Sequence, residues 1–171
     1  RGCRVIAITS GGRLRELTAE SSSECFIVPT GYQPRAALGF GLGVLCRLFQ
    51  EVLGSEKMFM EMCTFLDRCA ERWGDPEDEE NSALVYARQI AGNLPVINSS
   101  SDITSVAMRW KAQFNENSKT HAFFSPLPEM NHNEIVGWQR LESTGDFFDK
   151  MVMVLLRTGD ENQRVDLRLE S

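Results

Sequence analysis

Short apolar runs, rich in β-branched or aromatic residues and too brief to be helices, recur along this chain with helix-length segments between them. "RVIAIT" from Arg4, "CFIVP" from Cys25, "LPVINSS" from Leu94, "HAFFSPLP" from His121 and "MVMVLL" from Met151 each have the length and content of a buried strand. Strands that alternate with helices predict an α/β architecture, with parallel strands covered by helices on both sides. "RVIAIT", "LPVINSS" and "MVMVLL" are expected as central strands, the first in a separate sheet from the other two. A sixth run, "RVDLRLES" from Arg164, alternates Val165, Leu167 and Leu169 with charged residues and reads as a half-buried strand. A strand so close to each end needs neighbours, which predicts further sequence beyond both.

The segments between these runs read as helices. Ser10-Gly11-Gly12 makes a strand-to-helix turn before a short charged helix over Arg13–Glu20. That turn also has some likeness to a phosphate cradle, without matching the dinucleotide fingerprint. Pro34 suits a first helical turn, and Arg35–Leu53 is apolar enough for a buried helix closed by Gly54, in which Gly39, Gly41 and Gly43 lower helix propensity but permit close packing. Lys57–Trp73 carries Met58, Met62, Phe65, Leu66 and Cys69 at helical spacing, and Ser82–Ala91 is a helix stopped by Gly92. Ser101 or Asp102 is placed to cap a helix whose Ile103, Val106, Ala107, Trp110 and Phe114 share a face. "GDPEDEE", Gly74–Glu80, joins a turn signal to a run of like charge and marks a linker.

Composition narrows the partners. A net charge of −6 over 171 residues disfavours a nucleic-acid or anionic-membrane surface while leaving room for a local basic pocket. No apolar stretch approaches the roughly 20 residues that span a bilayer. The five cysteines form no CxxC pair and their spacing offers no zinc set, which points to a reduced, cytoplasmic protein. Asn98-Ser99-Ser100 matches a glycosylation sequon, a tripeptide common by chance.

In open α/β sheets ligands gather beyond the carboxyl ends of strands. "NHNE", Asn131–Glu134, follows directly after the "FFSPLP" strand, and Glu116 in "FNEN" ends the preceding helix, so both are placed to edge a crevice. On the residues alone, Glu116 is a solvated carboxylate or a pocket group, and His132 a hydrogen-bonded turn residue or a proton carrier. His121 reads as structural, and Trp110 and Trp138 as core or interface aromatics. Asn115, Asn117, Asn131 and Asn133 read as loop supports that bond the backbone through their side chains.

"RWKAQFNENSKTHAFFSPLPEMNHNEIVGW", Arg109–Trp138, resembles the signature region of the bifunctional phosphoglucose/phosphomannose isomerase family. "AITSGGRL" from Ala7 and "PRAAL" from Pro34 recur in that family in the same order. The resemblance implies a three-layer αβα sugar isomerase (SIS), flavodoxin-like fold with a parallel sheet, holding the end of one SIS domain and most of a second. Residues 1–53 would be the C-terminal part of the first SIS domain and a following helix, 54–81 a connecting helix and acidic linker, and 82–171 the second SIS domain, truncated at its C-terminus. It further implies that Glu116 is the catalytic base, His132 the ring-opening group and Arg35 a substrate-binding residue near the isomerised carbons. The partner would be a sugar phosphate, with no cofactor and no metal, in a homodimer where the histidine reaches the pocket of the neighbouring subunit. The family's serine and threonine-rich phosphate loop lies upstream of this chain and a further active-site lysine downstream, which predicts an inactive isolated chain.

The chemistry accounts for these residue types. Aldose–ketose exchange opens the sugar ring, removes a proton beside a carbonyl and returns it to the adjacent carbon. One carboxylate over a cis-enediol can shuttle that proton if burial raises its pKa toward working pH. An imidazole titrates close to neutrality and can serve the ring oxygen. A guanidinium stays charged and stabilises the enediolate. SIS domains also serve as non-catalytic phosphosugar sensors, and a sensor has no need of Arg35, Glu116 and His132 together.

Overall fold

The computed structural model describes residues 2–53, 56–139 and 146–170. The chain divides into two compact units, Arg1–Gly74 and Asp75–Ser171. Each has its own parallel sheet, so "RVIAIT" does lie in a different sheet from "LPVINSS" and "MVMVLL". Among the described residues no helix is long and apolar enough to cross a membrane, and all five cysteines are free.

In the first unit, β1 (Ile6–Thr9) and β2 (Glu24–Ile27) pair in register from Ile6 with Glu24 to Thr9 with Ile27, and α1 (Gly12–Glu20) crosses between them. The turn from β1 into α1 needs its glycines for backbone conformation: Gly11 and Gly12 have φ of +146° and +66°. A Cβ at either would meet nothing within 4 Å, so close packing is not the reason. The hydroxyl of Thr9 closes the turn by accepting from the Gly11 amide at 3.2 Å. "SGG" is thus a strand-to-helix turn.

The single buried helix expected over Arg35–Leu53 is not formed. Pro34–Ala36 is a 3-10 turn, α2 runs Leu38–Leu48 and α3 Gln50–Leu53, with Ala37 and Phe49 out of helical conformation between them. Three glycines leave α2 little propagation strength to bridge those breaks. Nor is it buried: Leu38 and Phe49 are more than half exposed. Apolar content told of a face that wants cover, and the described residues of this unit provide little of it. Close packing does not call for these glycines: an added Cβ would make ordinary contact at Gly43, 3.9 Å from the Phe59 ring, and meet nothing within 4 Å at Gly39 or Gly41. Gly54 falls outside the described residues. α4 spans Glu56–Gly74, as its spacing indicates.

The second unit holds a sheet in the order β4 (Phe123–Pro126), β3 (Leu94–Ser99), β5 (Met151–Leu156), all parallel. β3 is central and buried from Pro95 onward. β5 is an edge strand among the described residues, as is β1 in its two-stranded sheet, so of the three expected central strands only β3 is one. α5 (Ser82–Ile90) starts at Asn81, whose carboxamide oxygen accepts from the amides of Ala83 and Leu84 at 3.0 and 3.3 Å. Gly92 follows it at φ +79°.

The helix after β3 is capped otherwise than expected. Ser101–Ile103 is a 3-10 turn leading into α6 (Thr104–Gln113), and neither Ser101 nor Asp102 caps it through its side chain. Of the face assigned to this helix Ala107 is fully buried, while Val106 and Trp110 stay exposed. α6 packs on β3 and β4, and α7 (Glu129–Asn133) on β4.

"RVDLRLES" is not a strand. α8 spans Gln163–Glu170, started by the Asn162 carboxamide, which accepts from the Arg164 amide at 3.0 Å. Val165 and Leu169 stand four apart, a spacing that serves one helix face as well as one strand face. The run's Arg, Leu and Glu, with Gln163 before it, favour helix over strand.

Candidate active site

β3 ends in a polar stretch that is nonetheless core. Asn98 and Ser99 are fully buried and Ser100 nearly so, which rules out glycosylation of the folded chain at this sequon. The Asn98 side-chain Nδ2 donates to the Ser125 carbonyl at 3.1 Å, across the register pair that joins β3 to β4, and to the Met130 sulfur at 3.0 Å. The Ser125 hydroxyl donates to Glu134 Oε1 at 2.6 Å. Through these bonds the carboxyl ends of β3 and β4 hold the turn that carries "NHNE".

His132 lies in α7 between those anchors, exposed, with Met130 buried on one side and Glu134 on the other. Asn133 donates to Glu129 Oε1 at 3.0 Å. Asn131 turns its carboxamide oxygen inward, where it has no hydrogen-bond partner among the described residues.

Glu116 is held differently. Phe114–Ser118 forms a π-helical turn at the end of α6, closed by Lys119 in the left-handed conformation. Such turns are rare and recur at functional sites. The Asn115 carboxamide oxygen accepts from the Ala122 amide at 2.9 Å, and the Thr120 amide donates to the Phe114 carbonyl at 3.2 Å, so the turn is fastened to the start of β4. Lys119 Nζ donates to the Glu116 carbonyl at 2.5 Å, and the Glu116 side chain is exposed. A shallow hollow of about 340 Å³ beside it is lined by Trp110, Gln113, Phe114, Asn117 and Ser118.

The topology separates the two groups. Glu116 precedes β4 and is fastened to its amino end, whereas His132 follows β4 at its carboxyl end. The four residues of β4 alone span about 10 Å. Within one copy, therefore, Glu116 and His132 stand toward opposite ends of β4. Arg35 stands in the 3-10 turn of the first unit, half-buried, eight residues after Ile27 ends β2. Among the described residues, Asn115 alone of the four asparagines bonds the backbone as expected; Asn117 pairs with Gln113 and Asn133 with Glu129, each one helical turn back. Trp138 packs on Phe148 with ring centroids 6.0 Å apart, and His121 meets Phe123 edge-on.

Sequence reasoning missed Asn98, Ser125 and the tether to Glu134. A signal was present: Asn98 interrupts an apolar strand, and a buried amide needs partners. Among the described residues no three His, Cys, Asp or Glu side chains group to hold a metal ion.

Comparison with known proteins covers the same region. A family model described as the bacterial phospho-glucose isomerase C-terminal SIS domain matches residues 79–171. The chain is 36% identical over 170 residues to a bifunctional phosphoglucose/phosphomannose isomerase of Aquifex aeolicus, covering 99% of this chain and 49% of that protein. It is 35% identical over 176 residues to the enzyme of that name from Caldicellulosiruptor bescii, covering 99% and 51%. A D-glucosamine-6-phosphate 4-epimerase of Sulfolobus acidocaldarius is 33% identical over 138 residues, covering 77% of this chain and 40% of the epimerase. The chain thus spans about half the length of the curated relatives it matches.

Proposed function

This chain belongs to the bacterial phospho-glucose isomerase C-terminal SIS domain family, and on that premise we propose that the whole protein interconverts glucose 6-phosphate and mannose 6-phosphate with fructose 6-phosphate through a cis-enediol. The observation that carries this reading is the match over residues 79–171, which encloses both Glu116 and His132 in the motifs where an isomerase needs a base and a ring-opening group. In this reading Glu116 takes the proton from one carbon and returns it to its neighbour. His132 exchanges a proton with the ring oxygen. Arg35 balances the charge that develops on the enediolate.

The separation of Glu116 and His132 along β4 supports a homodimer with composite sites, in which His132 serves the pocket of the other copy. Exposure of Glu116 within its unit adds a requirement: other parts of the assembly or the substrate must cover it, since the enediol has to be kept from water. The division of the chain at Gly74 and Asp75 agrees with reading residues 54–81 as a connector between the end of one SIS domain and the second.

The test is an assay of the whole protein on glucose, mannose and glucosamine 6-phosphates, with and without chelator. Exchange of both aldoses with fructose 6-phosphate, unaffected by chelator, is the expected result. Inversion at C4 of glucosamine 6-phosphate without aldose–ketose exchange would instead align the protein with the relative from Sulfolobus acidocaldarius. Loss of activity in chelator would remove the metal-free mechanism.

A further inference from the structure

Five residues make a helix too short to persist on its own hydrogen bonds, and α7 is of that length. Its order must come from tethers, and two are visible. Met130 is buried and its sulfur accepts from Asn98 at 3.0 Å, while Glu134 accepts from the Ser125 hydroxyl at 2.6 Å. Asn98 and Ser125 are register partners on adjacent strands and are themselves joined at 3.1 Å. Residues 130 and 134 are therefore pinned to one place on the sheet, and residue 132, midway between them, is presented outward.

We propose that Ser125 and Glu134, backed by Asn98, are positioning residues that fix the direction in which His132 is offered to the sugar. The proposal rests on the reading of His132 as the ring-opening group. The Ser125–Glu134 bond suits this task because an O–H donor to a carboxylate makes a short, strong bond. Ser125 itself is buried and cannot swing away with its partner. A proton carrier displaced by about 1 Å loses up to about 10²-fold in rate, so a frayed α7 would impair ring opening without removing any reacting group. The same bond gives Glu134 a task other than proton abstraction.

The experiment compares Glu134→Ala, Ser125→Ala, the double variant and Ser125→Thr in the whole protein. Glu134 is exposed, so its truncation leaves no core cavity and the comparison survives even if Ser125→Ala folds poorly. Each single variant should lower kcat on cyclic substrate about tenfold, with KM and turnover of open-chain sugar little changed. The double variant should be no worse than either single one, and Ser125→Thr, which keeps the hydroxyl, should recover most of the loss. Hydrogen exchange at the Asn131 and Glu134 amides, which bond Pro128 and Met130 within this turn, should quicken about tenfold in Glu134→Ala.

Unchanged exchange, additive effects in the double variant, or an equal loss on open-chain and cyclic sugars would each overturn the proposal; the last would make Glu134 a reacting group. The exchange measurement needs no turnover. A whole protein without isomerase activity but with faster exchange in Glu134→Ala would therefore fail the functional reading while upholding the tether.

Discussion

The two ends of β4 carry the two groups proposed for proton transfer, and they are built on different principles. At the amino end Glu116 sits in a turn closed by neighbours in sequence: Asn115 holds Ala122, and Thr120 bonds Phe114. At the carboxyl end His132 sits in a turn with one near and one distant anchor: Ser125 reaches Glu134 across nine positions, and Asn98 reaches Met130 across 32. A turn closed locally keeps its shape when the rest of the fold loosens. One tethered to a sheet follows the sheet, so the direction of His132 is tied to the pairing of β3 with β4.

The largest expected effect bears on the locally built end. In the whole protein Glu116→Gln keeps the size of the side chain and removes the base, so turnover should fall by about 10² to 10⁴ on glucose and mannose phosphates alike, with substrate affinity little changed. Steady-state assays on both sugars decide it. Near-normal turnover on either would take Glu116 out of the base role.

Next in size is His132→Ala, expected to lower kcat on cyclic substrate by about 10² and to spare open-chain sugar. Equal loss on both forms would break the division of labour between the two ends of β4. If the composite dimer holds, mixing Glu116→Gln subunits with His132→Ala subunits should restore a share of activity. One class of mixed site then contains both intact groups, and absence of any recovery would place both in the same copy.

This contrast also explains what was legible in the sequence. The strand–helix alternation reads through because each apolar run is short and bounded, and β1 to β5 all appear near their expected places. The loop support by Asn115 in "FNEN" is legible because that asparagine acts within seven residues. The Asn98 link to Ser125 is not, because it depends on a β3–β4 register that periodicity does not state. α8 was misread since three apolar residues in alternation satisfy a strand while two of them, four apart, equally satisfy a helix. α2 was misread because apolar content reveals a wish for burial and not the surface that would supply it. Capping failed in both directions: Ser101 and Asp102 have the right chemistry and do not cap, while Asn81 does so unnoticed.

A smaller effect sharpens the comparison on stability. Asn115→Ala leaves the amide of the fully buried Ala122 without its acceptor, a loss of about 1–3 kcal/mol. Asn115→Asp keeps an acceptor and should recover most of it. Chemical unfolding of the two variants measures the difference. If Asn115→Ala were as stable as the parent, the amino-end turn would not depend on its local bond, and the contrast with the carboxyl end would dissolve.

The smallest expected effect tests local construction away from the candidate site, at Glu161 in the loop from β5 to α8. Burial within its own turn acts to raise the carboxyl pKa, yet the backbone amides of the loop and the Arg157 guanidinium outweigh it and hold the pKa below the ordinary carboxylate value. The Thr158 and Gly159 amides donate to the two carboxylate oxygens at 2.7 and 3.1 Å, and Arg157 lies 3.4 Å away. A carboxyl whose pKa is lower folded than unfolded stabilises the fold when ionised. Its contribution is complete above the unfolded value and disappears as pH falls through the folded one. Glu161→Gln should therefore lower the thermal midpoint slightly at neutral pH, and the gap to the parent should close in acid, once the parent's carboxylate is protonated too. Arg157 also pairs with Asp166, so it keeps one partner in the variant and the effect stays small. A gap that widened toward low pH would reverse the sign of the linkage, and the loop amides would then not favour the charged form of Glu161.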